Sequence, residues 1–194
     1  MQACVVFERE TGHVFALATG AAPLPKPAAD QPEEAAAALR ALVGAALPTR
    51  GYLDGATGFF QSTEFTIPGS RLALLATEVD AAMLLAPLKY AVRDQESIGL
   101  SPSDPLPQLV LVGSDALRVT LSAETPEELP VLLQVVPDAT VGGDPQTVQG
   151  AFRPASATKQ VLTLSLAAPL SAGGHAVLML VRSFRSGIRR IVAP

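Results

Sequence analysis

The chain has 194 residues, with 14 basic and 18 acidic side chains, a formal net charge of −4 and 48% apolar residues. A chain of this length can bury a sufficient core without disulfides or structural metals. Its single cysteine excludes an intramolecular disulfide and a Cys-rich zinc site. The acidic balance lacks the basic footprint with which proteins displace counterions from DNA or RNA, so no nucleic-acid partner is expected.

The first predicted element is a β-hairpin. Residues 3–8 and 13–18 are apolar, β-prone runs, and Gly12 stands where the short loop between them needs a positive φ. An exposed first strand of this kind can add to the sheet edge of a partner protein. The same segment has neither a basic start nor a long apolar stretch, which predicts that there is no signal peptide and that the protein is cytoplasmic.

A proline-rich connector and an amphipathic helix are predicted next. Residues 21–32 contain prolines at alternate positions, which stiffen the backbone and remove hydrogen-bond donors. Asp30 supplies a helix N-cap, and Pro32 is acceptable in the first turn. Apolar side chains then recur at helical spacing until Pro48 ends the pattern, at Leu39, Leu42, Val43, Ala46 and Leu47. The helix is therefore expected to run to Leu47.

The middle of the chain is predicted to return to strands. Residues 51–67 form short apolar runs around a turn at 54–58. Residues 71–92 are ambiguous between strand and helix, because a short apolar run fits both; strands at 71–77 and 82–92 are favoured. Prolines, glycine and serines over 97–107 mark a linker. We expect an α+β N-terminal region at 1–100, a linker at 101–107 and a second domain at 108–194.

Seven short strands are predicted in the second domain, beginning near residues 109, 116, 129, 147, 160, 175 and 188. Turn residues separate them about every ten positions, a spacing typical of an antiparallel sandwich. The longest stretch without a charged residue, 160–181, alternates in its first half and contains proline and glycine turn signals. It therefore predicts strands and no membrane span. The expected fold class is mainly β (α+β).

The closing segment, LSAGGHAVLMLVRSFRSGIRRIVAP, resembles the last hairpin of immunoglobulin-like domains of the IPT/TIG type. In both, a glycine-bearing turn leads into a long strand, a short polar turn and a final strand that ends at proline. The resemblance implies an immunoglobulin-like antiparallel β-sandwich for residues 108–194. The Cys and Trp that mark antibody-type domains are missing, and the fold would not by itself fix a function.

Few residues suggest chemistry. His13 and His175 are far apart in sequence and lack the spacing of a metal site, and Glu8 and Glu10 near His13 are expected at a solvated hairpin edge. Cys4 and His13, facing each other across the hairpin, form the one conceivable pair of nucleophile and base. A cysteine flanked by alanine and valines is, however, typical of simple packing.

The loops likewise suggest turns and no ligand sites. The glycine-rich stretches at 54–58 and 142–145 lack the following helix and lysine of a phosphate-binding loop. Asp54, Asp138 and Asp144 do not form a calcium-binding string and are typical turn residues. We therefore predict no catalytic residue, no cofactor and no metal, and expect that the protein is not an enzyme.

Two features suggest binding to other proteins. One is a group of basic residues in the last strand pair that could contact an acidic partner surface: Arg182, Arg185, Arg189 and Arg190. The alternative is a solvated edge whose charges oppose aggregation. The other is that residues 131–136 and 176–181 are apolar at nearly every position, which predicts cover on both faces, by the N-terminal half or by a neighbouring subunit.

The sequence thus favours a non-catalytic structural or interaction subunit of a larger assembly, for which a phage-tail-like or contractile particle is an analogy of architecture. Its partners would be other protein subunits or a second copy of the chain. The alternative is a small-ligand-binding protein or a hydrolase with a pocket between the two halves.

Overall fold

The computed structural model describes residues 2–18, 37, 41, 44–54, 60–94, 96–100, 107–138, 141 and 143–194. It is predominantly β, with antiparallel strand pairs, which confirms the mainly-β prediction. The chain divides into two compact units. The N-terminal unit comprises Met1–Thr49 and Thr66–Ser101, and the C-terminal unit comprises Arg50–Phe65 and Pro102–Pro194. The predicted bounds of the two domains stay a prediction.

The elements follow in chain order: β1 (Gln2–Glu8), β2 (Val14–Ala18), β3 (Ala46–Asp54), β4 (Phe60–Pro68), β5 (Leu72–Glu78), α1 (Ala81–Leu85), β6 (Tyr90–Arg93), β7 (Glu96–Gly99), β8 (Gln108–Val112), β9 (Ala116–Leu121), β10 (Leu129–Pro137), β11 (Gln146–Phe152), β12 (Gln160–Ser165), β13 (Gly173–Val181) and β14 (Gly187–Ala193). Short 3-10 turns lie at Gly69–Arg71 and Pro87–Lys89.

The N-terminal unit is built on a three-stranded sheet with the order β2-β1-β5. The predicted hairpin of β1 and β2 is confirmed, and Gly12 has the expected positive φ of 81°. The first strand was expected to be free to join a partner sheet, and this expectation is wrong. Because β1 pairs with β2 on one side and with β5 on the other, both of its edges are already hydrogen-bonded.

The predicted helix ends earlier than its apolar pattern suggests. Ala37 and Ala41 are helical, but Gly44 has a φ of 67° and Ala46 begins strand β3. A glycine in the left-handed region commonly terminates a helix, and it outweighs the apolar spacing that continues to Leu47.

The connector at 21–32 lies outside the described residues. The strands predicted within residues 51–67 correspond to β3 and β4, which pair with each other, and residues 55–59 between them also lie outside the described residues.

The ambiguous stretch at 71–92 contains both kinds of element. The strand predicted at 71–77 is confirmed as β5, whereas the strand predicted at 82–92 is wrong: it is replaced by α1, a 3-10 turn and the short strand β6. Asp80 caps α1 by accepting a hydrogen bond from the Ala82 amide at 2.8 Å. Pro87 then ends the helix.

Part of the predicted linker is also strand, because Glu96–Gly99 pairs with β6 as β7.

All seven strands predicted after residue 107 are confirmed as β8 to β14. They form a four-stranded sheet with the order β11-β10-β13-β14 and a three-stranded sheet with the order β12-β9-β8. Alternate side chains of both sheets enter one core, so that Leu117, Val131 and Met179 belong to the same buried cluster. This arrangement is compatible with a β-sandwich.

The two strands that are apolar at nearly every position, β10 and β13, are buried on both faces. Val131 and Val177 enter the core on one face, and on the other face Leu132, Leu178 and Leu180 are each at most 1% exposed. Both faces of these strands are thus buried, as their apolar sequences predict. In the part of the chain that the structure describes, no helix is long and apolar enough to cross a bilayer.

Candidate functional site

The N-terminal unit carries an exposed stretch without charge, residues 81–88, which we call the apolar segment. It lies between Asp80 and Lys89, both exposed. Leu85 is 89% exposed and Leu84 is 44% exposed, whereas Met83 is 1% exposed. Two large apolar side chains thus face water side by side, in a segment rimmed by one acidic and one basic residue. Contiguous exposed apolar surface of this kind marks interaction sites more often than single exposed residues do.

The local structure holds the two leucines outward. Met83 packs into the core of the N-terminal unit together with Val5 and Val14, and its amide donates to the carbonyl oxygen of Asp80 at 3.1 Å. Successive helical residues are turned by about 100°, so a methionine fixed in the core directs the next two side chains away from it. The exposure of Leu84 and Leu85 is therefore a consequence of a capped and anchored turn.

The apolar pattern of the sequence predicted a strand here and did not indicate this exposed segment. Two local signals could have identified it. Asp80 directly precedes a run of helix formers, as an N-cap does, and Pro87 excludes both a longer helix and a central strand. As a strand, a run of uncharged residues is expected to be buried on both faces. As a short helix turn, the same run buries only one side and leaves the other side chains exposed.

Two other exposed apolar side chains, Val110 and Val161, are isolated from each other by polar residues. Val110 and Val161 are 55% and 54% exposed on the outer face of the β12-β9-β8 sheet. Their direct cross-strand neighbours are Arg118 and Thr120, so each valine stands among polar side chains. Single apolar residues in such a setting are an ordinary feature of protein surfaces and indicate no site.

The four arginines predicted to contact a partner are not brought together on one face. Arg189 and Arg190 are consecutive in β14 and so point to opposite faces of the sheet, opposite Val177 and Ala176. Arg182 and Arg185 lie in the turn between β13 and β14.

Arg190 has an intramolecular partner. Its Nη2 donates to Oδ2 of Asp138 at 3.0 Å, next to Gly174, where an added Cβ would collide with both side chains. Asp138 was predicted to be a turn residue, and its carbonyl oxygen accepts a turn-type hydrogen bond from the Val141 amide at 2.8 Å, while its carboxylate makes this ion pair. A partner-binding role for the four arginines stays a prediction.

A buried polar cluster lies at the tip of the first hairpin. Oε2 of Glu8 accepts hydrogen bonds from the amide of Thr11 at 2.7 Å and from its hydroxyl at 2.8 Å. Nδ1 of His13 is 3.1 Å from the same hydroxyl. Arg71 donates to Oε1 of Glu8 at 3.2 Å and reaches Glu10 at 3.4 Å. The cluster joins the hairpin to the start of β5.

The solvated hairpin edge predicted for Glu8 and Glu10 is confirmed for Glu10, which is exposed, and is wrong for Glu8, which is fully buried together with His13. Strand β6 covers the turn: His13 forms a β-bridge with Ala91, and the Val92 amide donates to the Gly12 carbonyl at 2.8 Å. Since Glu8 accepts the hydroxyl hydrogen of Thr11, that hydroxyl can only accept from Nδ1 of His13. The Thr11 hydroxyl thereby both donates and accepts within the cluster, and these bonds stabilise the hairpin.

Cys4 and His13 do not face each other. The direct neighbours of Cys4 are Ala18 in β2 and Ala76 in β5, whereas His13 lies at the far end of the hairpin beside Glu8. Cys4 is fully buried, and this burial raises the pKa of its thiol above the ordinary value. The pair of nucleophile and base considered from sequence is therefore excluded by the strand register.

We expect Cys4 to resist thiol reagents in the folded protein. A raised pKa and full burial both reduce the accessible thiolate, so Ellman's reagent at mildly alkaline pH should react only after unfolding in concentrated urea. A Cys4→Ala/Ser70→Cys variant is the control, because Ser70 is exposed and its replacement should react at once. Rapid reaction of native Cys4 would contradict the buried position of β1.

His13 and His175 belong to different units, and His175 lines a pocket of the C-terminal unit. Within the described ranges, no group of three or more His, Cys, Asp or Glu side chains is placed to hold a metal ion. Comparison with models of known protein families, with curated proteins and with solved structures gives no match.

Proposed function

We propose that the chain is a non-catalytic interaction subunit of a larger protein assembly, and that the apolar segment at 81–88 is its partner-binding surface. The observation that carries the proposal is the exposure of Leu84 and Leu85, 44% and 89%, on a capped turn. Burying one leucine contributes roughly 1.5 to 3 kcal/mol, so covering both side chains by a partner would be a substantial part of a binding energy. The centres of protein interfaces are similarly poor in charge.

We further infer that residues 108–194 form an immunoglobulin-like module. The strand order supports this inference, since the first, second and fifth strands of residues 108–194 share one sheet and the third, sixth and seventh share the other. In constant-type immunoglobulin domains the fourth strand joins the former sheet; here β11 pairs with β10 instead. Such modules are common in protein-protein contacts, but the fold does not identify the partner.

The proposal is tested by Leu85→Asp. Because Leu85 is almost fully exposed, the folded chain should tolerate the carboxylate, whereas a partner that buries this position would have to desolvate a charge. Self-association of the purified protein is measured by native mass spectrometry over a range of concentrations, and binding of a captured partner is measured by titration. We expect Leu85→Asp to weaken whichever association is found about tenfold or more.

Val161→Asp is the matched control, because it places the same charge at an exposed apolar position of the C-terminal unit. It should leave the association unchanged. Both variants should melt within a few degrees of the parent chain, since surface substitutions change stability by about 0.5 kcal/mol or less. A chain that is monomeric and partnerless, or an association equally strong with Leu85→Asp, would overturn the proposal.

A further inference from the structure

The C-terminal unit contains a pocket of about 210 Å³ at one end of its core. Val135 and Pro137 of β10 and the side chains of residues 167–170 form an apolar wall. His175 of β13, Asp144 and Ser171 supply its polar atoms. A water molecule occupies about 30 Å³ in the liquid, so the pocket has room for roughly seven, which is the size of a short aliphatic chain with a polar head.

The wall formed by residues 167–170 is held in place by hydrogen bonds. Nε2 of Gln146 donates to the carbonyl oxygen of Ala168 at 2.9 Å, and the Ala168 amide donates back to Oε1 of Gln146 at 3.0 Å. The amide of Leu170 donates to the Ser114 carbonyl at 2.7 Å. The nitrogen and the oxygen of the Gln146 side-chain amide are both engaged in these bonds. They hold the wall in place, and Gln146 offers little to a ligand.

His175 has one ring nitrogen available. The residue is 2% exposed and lies opposite Pro137 and Ile191 in the sheet. Its Nδ1 is 3.2 Å from the carbonyl oxygen of Gly173, and because a carbonyl only accepts, Nδ1 carries the hydrogen in this contact. Nε2 of the neutral ring is then an acceptor, and no described residue donates to it. An acceptor at the wall of a pocket can receive a hydrogen bond from a ligand that brings a donor.

The other polar groups of the pocket also favour a donor. Asp144 is exposed, and its carboxylate only accepts. The Ser171 hydroxyl can accept as well as donate. Among the described residues that line the pocket there is no lysine or arginine, so the charge that they bring is that of Asp144. A ligand with several donors and a positive charge satisfies these groups together, whereas an anion meets the carboxylate unfavourably.

We propose that this pocket binds an alkylammonium group. The ammonium donates to Nε2 of His175 and to the carboxylate of Asp144, with its third hydrogen available to Ser171, and the aliphatic stem packs on Val135 and Pro137. A free small amine and the lysine side chain of a partner protein present the same chemistry. The inference does not rest on the apolar segment, which lies in the other unit.

The test is a titration with n-butylammonium chloride at constant ionic strength, followed by NMR of the His175 ring and of the Gly173 and Ser171 amides. We expect saturable shifts at millimolar concentrations. The neutral analogue n-butanol should bind at least about fivefold more weakly, because it has one donor and no charge. A short peptide with one central lysine forms the second arm: tighter binding than butylammonium assigns the pocket to a partner's lysine, and weaker binding assigns it to a free amine.

Comparing Asp144→Asn with Glu128→Gln distinguishes the effect of the carboxylate at the pocket from the effect of the net charge of the protein on butylammonium binding. Each removes one negative charge from an exposed position of the same unit, but Glu128 does not line the pocket. Asp144→Asn should weaken butylammonium binding about fivefold, and Glu128→Gln should leave it unchanged. Absence of saturable shifts, equal binding of butanol, or equal effects of the two substitutions would overturn the proposal. Leu85→Asp should not alter this titration, so the two proposals fail independently.

Discussion

Replacing Glu8 by alanine is expected to lower the free energy of unfolding by about 3 to 5 kcal/mol, the range for removing one partner of a buried ion pair. Glu8 is fully buried and accepts from the amide and hydroxyl of Thr11, while Arg71 donates to its other oxygen. Its removal leaves these donors without their acceptor inside the fold, and water does not reach them as it would at a surface. Urea denaturation followed by circular dichroism measures the loss.

Glu10→Gln is the matched control for this experiment. Glu10 contacts the same Nη2 of Arg71 at 3.4 Å, but its side chain is 54% exposed. Ion pairs at the surface contribute about 0 to 1 kcal/mol, so this change should be small. Hydrogen exchange gives a local readout, because the Thr11 amide should lose protection in Glu8→Ala and keep it in Glu10→Gln. Equal stability losses in the two variants would contradict a buried cluster.

The strands of the C-terminal unit could be predicted because their information is local. In β9, Leu117, Val119 and Leu121 are buried while Arg118 is exposed, which is the alternation that a half-buried strand requires. The division of these strands between two sheets depends on pairing between distant segments, as between β9 and β12. Pairing of that kind leaves no pattern within a single run of residues.

The polar cluster of the N-terminal unit could not be predicted for the same reason. Glu8 and Arg71 are 63 positions apart and meet only because β5 pairs with β1. Without that pairing, Glu8 beside a glycine turn looks like an ordinary solvated residue. The arginines of β14 show the converse: Arg189 and Arg190 are adjacent in sequence, but the strand places them on opposite faces. Closeness in sequence therefore does not by itself bring two side chains to the same face of a strand.

The exposed leucines depend on the competition between strand and helix in a short apolar run. Both structures suit the sequence of residues 81–85 by pattern, and the decision comes from Asp80 and Pro87. The cap supplies a hydrogen bond that a strand would not have, and the proline prevents the continuous ladder that a strand would need. Capping residues therefore determine here which apolar side chains reach the surface.

Gly12→Ala is the second substitution for which a large effect is expected. Gly12 has a φ of 81°, and an added Cβ would lie 2.6 Å from the carbonyl oxygen of Val92. The left-handed conformation costs an alanine about 1 to 2 kcal/mol. The collision adds to this cost, because it pushes the hairpin tip away from β6. The two are held together by a 2.8 Å hydrogen bond from the Val92 amide to the Gly12 carbonyl. We expect a total loss of about 3 kcal/mol or more in urea denaturation.

Gly44→Ala separates the steric collision from the backbone conformation. Gly44 has a similar φ of 67°, but a Cβ added there meets no described atom within 4 Å. It should therefore show only the conformational cost of about 1 to 2 kcal/mol. The difference between the two alanine variants measures the close approach of the hairpin tip to β6. If Gly12→Ala costs no more than Gly44→Ala, then β6 does not cover the hairpin tip as described, and the buried positions of Glu8 and His13 would be wrong as well.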